Sequence, residues 1–222
     1  MEQVGTWTLP VLRRGPASGT LVILVQPLFE EQNRCRRFLA DVGSALADRN
    51  VGTALPDLPG TGDFPSAAPF DMAEAAAALL AFADAQQHPA RFVTMRGGNL
   101  LLPTGTDHIA IAPVSRGERL LADLLRTHAL GERERTGGSF SRHDAERAWA
   151  NGRTVRLAGY DVTPIAARAL AEASAPAATS SLSIGSGAGE VAGPLFWRQA
   201  DPVRALETAN VVAASIAEDL AV

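Results

Sequence analysis

The residues Phe92-Val93-Thr94-Met95-Arg96-Gly97-Gly98-Asn99-Leu100-Leu101 read as a short buried strand, a tight glycine turn and the start of a helix. A junction of this kind is where the pattern G-x-S-x-G holds a nucleophilic serine, strained upward between strand and helix. Here Thr94 stands at the first glycine position and Arg96 at the serine position, while Gly97 and Gly98 remain. A guanidinium stays protonated near neutral pH and carries no acceptor, so it cannot attack a carbonyl carbon. The turn speaks for nucleophilic chemistry and the residue at its tip speaks against it. The chemistry left to Arg96 is electrostatic. With the backbone N–H groups of Gly97 and Gly98 at a helix N-terminus, it would bind a carboxylate, a phosphate or an acyl oxyanion.

Other polar residues gather at neighbouring positions. Glu30, Glu31, Asn33, Arg36 and Arg37 follow the first strong strand, and Asp57 and Asp63 follow the second. In a parallel sheet such strand ends lie side by side and line the ligand crevice. A partly buried guanidinium needs a carboxylate partner, which Glu30, Glu31 or Asp57 could supply. The expected ligand-binding set is therefore Arg96, Gly97, Gly98, Glu30, Glu31, Asn33 and Asp57, for a small acyl or anionic ligand. Candidates for a catalytic part are Arg96, Ser115 and Glu30. Ser115 sits at a strand end beside Arg116, with Glu118 near, and also suits a cap for the helix that follows. Cys35 lies among Arg34, Arg36 and Arg37, which would lower a thiol pKa, but its spacing with Phe38 and Leu39 points to packing. A triad in the chain order serine, acid, histidine needs a late histidine. The four histidines are His88, His108, His128 and His143, so none follows residue 143 and Glu190 has none to orient. No metal-ligand spacing occurs. Gly60-x-Gly62 lacks the rest of a dinucleotide loop. No cofactor is expected.

The elements that must position these residues alternate in type. Strands are predicted at Leu21–Val25, Gly52–Asp57, Phe92–Met95, His108–Pro113 and Ser180–Ile184, and helices at Asn33–Asn50, Asp71–Ala85, Glu118–Arg126 and Pro202–Ala221. Repeated strand–helix alternation implies a mostly parallel sheet with helices on both faces. The stretch from about Leu130 to Arg153 breaks the pattern. It is rich in Gly, Arg and Glu, and is expected to be an irregular insertion, with a lid as its functional form.

Bulk properties bound the rest. At 222 residues the chain is expected to form one domain over residues 1–222. All 20 basic residues are arginine, and the net charge is −4. That balance gives no electrostatic reason to expect nucleic acid. The single Cys35 fits a reducing compartment. No run approaches the ~20 apolar residues of a membrane span, and the first residues are neither basic nor apolar enough for a secretory signal. A cytoplasmic protein is expected.

Five blocks, in order, resemble one family. Phe29-Glu30-Glu31-Gln32-Asn33-Arg34-Cys35-Arg36-Arg37 is similar to the F-x-E-E-x-N-x-x-R-R block of the exosortase A system-associated hydrolases. Leu55-Pro56-Asp57-Leu58-Pro59-Gly60-Thr61-Gly62-Asp63 resembles their L-P-D-L-x-G-x-G-D. Pro113-Val114-Ser115-Arg116-Gly117 with Leu124-Leu125-Arg126, Ala158-Gly159-Tyr160-Asp161-Val162-Thr163-Pro164, and Gly193-Pro194-Leu195-Phe196-Trp197 are similar to segments of the type 2 branch. The resemblance implies an α/β-hydrolase fold and association with bacterial exopolysaccharide export and PEP-CTERM protein sorting. The elbow of that branch often reads G-L-R-x-G, which makes Arg96 a branch trait, with Thr94 a departure at the first glycine. The shorter middle segment implies a reduced cap. Two functions follow as expectations: a catalytically degenerate accessory or ligand-binding protein, or a hydrolase of an ester, thioester or amide with an atypical catalytic set.

Overall fold

The computed structural model describes residues 1–64, 68–199 and 203–221. Its centre is a six-stranded sheet. The strands are β1 (Val11–Arg14), β2 (Leu21–Val25), β3 (Gly52–Pro56), β4 (Ala90–Met95), β5 (His108–Ile111) and β6 (Ser180–Leu182). They lie in the order β6-β5-β4-β2-β3-β1. All neighbours are parallel except β1, which runs antiparallel to β3 with Val11 opposite Pro56. Every residue of β2, β3 and β5 is buried, as expected of strands covered on both faces.

Two apolar clusters divide at the sheet. Leu21, Ile23 and Val25 face one side, with Ala75, Ala78, Leu79 and Phe82 of helix α2 (Met72–Asp84). Val22 and Leu24 face the other, with Cys35, Phe38, Leu39, Val42 and Leu46 of α1 (Glu30–Ala47). This alternation is the period-2 geometry of a strand. The second face is completed by Val212, Ala213 and Ile216. These belong to the final helix, Leu206–Leu220, which begins later than predicted; Pro202 lies outside the described residues. Helix α2 starts where its sequence says, because Asp71 accepts N–H bonds from Ala73 and Glu74. Helix α1 begins at Glu30, three residues before Asn33. Its first turn holds Glu30 and Glu31, where carboxylates suit the helix dipole.

The segment between β5 and β6 differs most from expectation. It is not irregular: α3 runs Gly117–Thr136, α4 runs Arg142–Ala150, and α5 runs Pro164–Glu172. The charges that resemble a solvated loop are helix-face pairs. Arg135 meets Glu132 at 2.5 Å and Arg142 meets Glu146 at 2.8 Å, at spacings of three and four. Ser141 and Asp144 form a capping box that starts α4. Between α4 and α5 a short antiparallel hairpin pairs Val155–Leu157 with Tyr160–Val162. Together these elements form a small cap. Tyr160 docks it edge-on against Phe29, with ring centroids 5.3 Å apart.

Two glycines separate close packing from open helix. A Cβ on Gly98 would strike the backbone carbonyls of Val25 and Gln26, neither of which can yield. Gly131 lies within α3 with nothing near its Cβ position. Gly98→Ala should therefore destabilise the protein by about 1–3 kcal/mol. Gly131→Ala should stabilise it by roughly 0.5–1 kcal/mol. Thermal melts of the two variants should shift in opposite directions.

Candidate functional site

Strand β4 ends at Met95, and the chain turns sharply at Arg96, which takes a positive φ of 51°. That left-handed backbone is strained for any residue with a side chain. It is also what an elbow needs, since it lifts the tip residue clear of the strand. Beyond it lies a six-residue 3₁₀ helix, Arg96–Leu101, rather than an α-helix. Gly97 and Gly98 are buried in it. A Cβ on Gly97 would press on Leu120. The two glycines are packed against neighbours and do not line the cleft beside the elbow, and a 3₁₀ turn this short supplies no strong helix dipole.

All three nitrogens of the Arg96 side chain donate hydrogen bonds. Its Nε donates to Glu31 Oε1 at 3.1 Å and Oε2 at 3.2 Å, and its Nη2 donates to Oε1 at 2.8 Å. Nη1 donates to the Ala112 carbonyl at 3.1 Å. The guanidinium also lies over the Trp197 ring, 5.0 Å from its centroid, a cation–π distance. Both members of the pair are about five-sixths buried, at 16% side-chain exposure each. Of the three carboxylates open to Arg96, Glu31 is the partner. Glu30 pairs with Arg34 at 3.0 Å.

Asp57 belongs to a separate cluster. It is 1% exposed, and its carboxylate accepts from Arg36 through both oxygens, from Gln26 Nε2 at 2.7 Å and from the Asp63 backbone N–H at 3.2 Å. This bonding to Asp57 raises the Arg36 pKa against the opposing effect of burial. Asp57 thus pins the loop after β3 to α1. Asn33 lies on another surface, with Tyr160, whose hydroxyl burial pushes upward in pKa. Arg37 makes an exposed pair with Asp41.

The remaining candidates are dispersed. Ser115 is exposed, and the residue capping α3 is Arg116, without a side-chain cap bond. Glu190 is exposed and accepts the Gly187 N–H at 2.7 Å. His108 is buried at the amino end of β5, with Nδ1 2.9 Å from the Thr106 carbonyl oxygen. His128 packs edge-on against Phe140. His88 and His143 are exposed. Cys35 is completely buried, and its thiol pKa is pushed up by burial first and by Glu31 second, against Arg96 and Arg34.

A cleft of about 510 Å³ opens beside the elbow. Arg96, Glu30, Glu31 and Arg34 line one part of it, Leu120, Leu124 and Leu130 of α3 another, and Trp197 and Arg198 its edge. No histidine is among its lining residues. Sequence reasoning gave no role to Trp197 or to the α3 leucines. The Phe196-Trp197 block and the Leu120/Leu124 spacing were the available signals.

Similar folds occur among solved structures. AqDC, described by its recognition and ring-cleavage of the Pseudomonas quinolone signal, is 14% identical in complex with its product, with a TM-score of 0.51 over 100% of this chain and 99% of that one. A second AqDC structure gives 13% identity and a TM-score of 0.50 over 99% and 98%. An alpha/beta hydrolase from Sphaerobacter thermophilus gives 17% identity and 0.43 over 97% and 88%. No family model matches the chain, and no curated protein does. At these identities the likeness is one of fold: the chain has the α/β-hydrolase fold, and its elbow carries Arg96 at the tip.

Breaking the Arg96–Glu31 pair leaves a largely buried carboxylate alone. Arg96→Ala should cost about 3 kcal/mol, or roughly 6–12 °C in melting temperature at ~2–4 °C per kcal/mol for this size. Adding Glu31→Ala should cost less than the sum of the single changes, and a double-mutant cycle with additive melts would show the pair to be uncoupled.

Cys35 supplies a second check. A folded-state pKa above the unfolded value means the native state holds its proton longer. Stability from this group is full below the ordinary thiol value of about 8.5 and is lost as pH rises past it. Native protein should resist iodoacetamide at mildly alkaline pH and label fully in denaturant, as measured by mass.

Proposed function

We propose that this chain is a catalytically degenerate α/β-hydrolase-fold protein. It holds a small acyl or anionic ligand in the elbow cleft and acts as an accessory protein in exopolysaccharide export or PEP-CTERM sorting. One observation carries the first part: the elbow tip is a guanidinium, held in strained backbone and locked to Glu31. A protonated guanidinium donates in every direction and has no lone pair for an acyl carbon. The groups that would activate another nucleophile are scattered, with Ser115 exposed and no histidine on the cleft wall. The elbow geometry, kept without its nucleophile, suits binding better than turnover. The pathway rests on the five ordered sequence blocks and the resemblance they carry.

The test is hydrolysis of short- and medium-chain p-nitrophenyl esters by purified protein, alongside labelling with a fluorophosphonate serine probe. Rates near background and no labelling are expected. Robust turnover that Ser115→Ala abolishes would overturn the reading and make the protein a hydrolase with an atypical catalytic set.

A further inference from the structure

The charge inventory of the elbow cleft narrows its ligand. Four arginines line it: Arg34, Arg96, Arg126 and Arg198. Three have carboxylate partners that also line it. Arg34 meets Glu30 at 3.0 Å, Arg96 meets Glu31 at 2.8 Å, and Arg126 meets Asp123 at 3.1 Å. Arg198 is exposed and has no ion-pair partner among the described residues. It follows directly after Trp197, whose ring carries the Arg96 guanidinium, so its backbone is held at the cleft edge by a buried anchor. Helix α3 gives the cleft an apolar stripe beside Asp123, Arg126 and Thr127: Leu120 and Leu124 are buried, and Leu130 is 56% exposed. Leu28 and Phe29 continue that surface.

Resting on the ligand-binding reading above, we infer that the cleft takes a monoanion with an apolar chain, its head on Arg198 and its body along the α3 leucines. A cation would meet carboxylates already paired with arginine. A polyanion would find one uncommitted charge among the described lining residues. A single carboxylate, or another singly charged oxyanion, gains a charge-assisted, bidentate contact from a guanidinium. The volume of about 510 Å³ suits a ligand of that size.

The experiment is calorimetric titration of the full chain with decanoate, decyl sulfate, decanol and acetate, each below its micelle concentration. Decanoate and decyl sulfate should bind at least tenfold more tightly than decanol, and acetate should not bind measurably. Arg198→Gln should bring decanoate to within a few-fold of decanol and leave decanol unchanged. Thr127, exposed on the cleft wall, offers a block that spares the core, and Thr127→Trp should weaken all the chain-bearing ligands. Equal affinity for decanol and decanoate, indifference to either substitution, or no binding at all would overturn the assignment. Ester turnover would defeat the non-catalytic reading and leave this assignment standing. Failure of decanoate binding with no turnover would defeat this assignment alone.

Discussion

The ion pair between Arg96 and Glu31 joins parts of the chain that would otherwise meet only through the sheet. Glu31 sits in the first turn of α1, just after the loop that leaves β2. Arg96 ends β4. Its second donor reaches the Ala112 carbonyl, just past β5. Among the described residues, three of the five non-glycine positions with positive φ lie along this line: Phe29 at 58°, Arg96 at 51° and Ala112 at 45°. Such backbone costs on the order of 1–3 kcal/mol per residue and persists only when its surroundings hold it. Here the surroundings are one guanidinium, one carboxylate and one indole ring, together with the aromatic contacts that seat Phe29 against Phe70 and Tyr160. The strained positions are mutually braced across three strand ends.

That bracing works because the sheet beneath it is rigid. Strand β2 contributes alternate side chains to both apolar clusters, so it cannot shift without disturbing the helices on either side. The cap is tied down through Tyr160 on Phe29, and its first and last helices are joined to each other where the Gly117 N–H donates to the Ala173 carbonyl at 2.9 Å. The cleft is thus bounded by elements that are themselves anchored, which favours binding with little reorganisation.

Much of this was legible in the sequence, and what was not has identifiable causes. The β-branched run Leu21–Val25 and the capped start of α2 depend on local signals, and the structure places both as read. The stretch from 130 to 153 was obscured because glycine and paired charges look the same in a loop and on a solvated helix. The distinguishing sign was the Ser141–Asp144 capping box. The partners of Asp57 and Arg96 could not be assigned from strand order, since both carboxylate positions fall at the same sheet edge. Only the turn of α1 decides that Arg36 faces Asp57 while Glu31 faces Arg96. Trp197 was hidden for another reason: it arrives from more than 100 residues downstream, and no periodicity records such a contact.

The commitment of Glu31 has a consequence for the protein's mutational history. Were serine to stand at position 96, the hydroxyl could not neutralise a carboxylate that is 16% exposed. Arg96→Ser made alone would therefore strand a charge. A change at 31 made first would strand the guanidinium instead. Each route crosses a less stable sequence, so the two positions must change nearly together. The paired arginine and glutamate act as a ratchet: with both residues present, neither is free to drift alone.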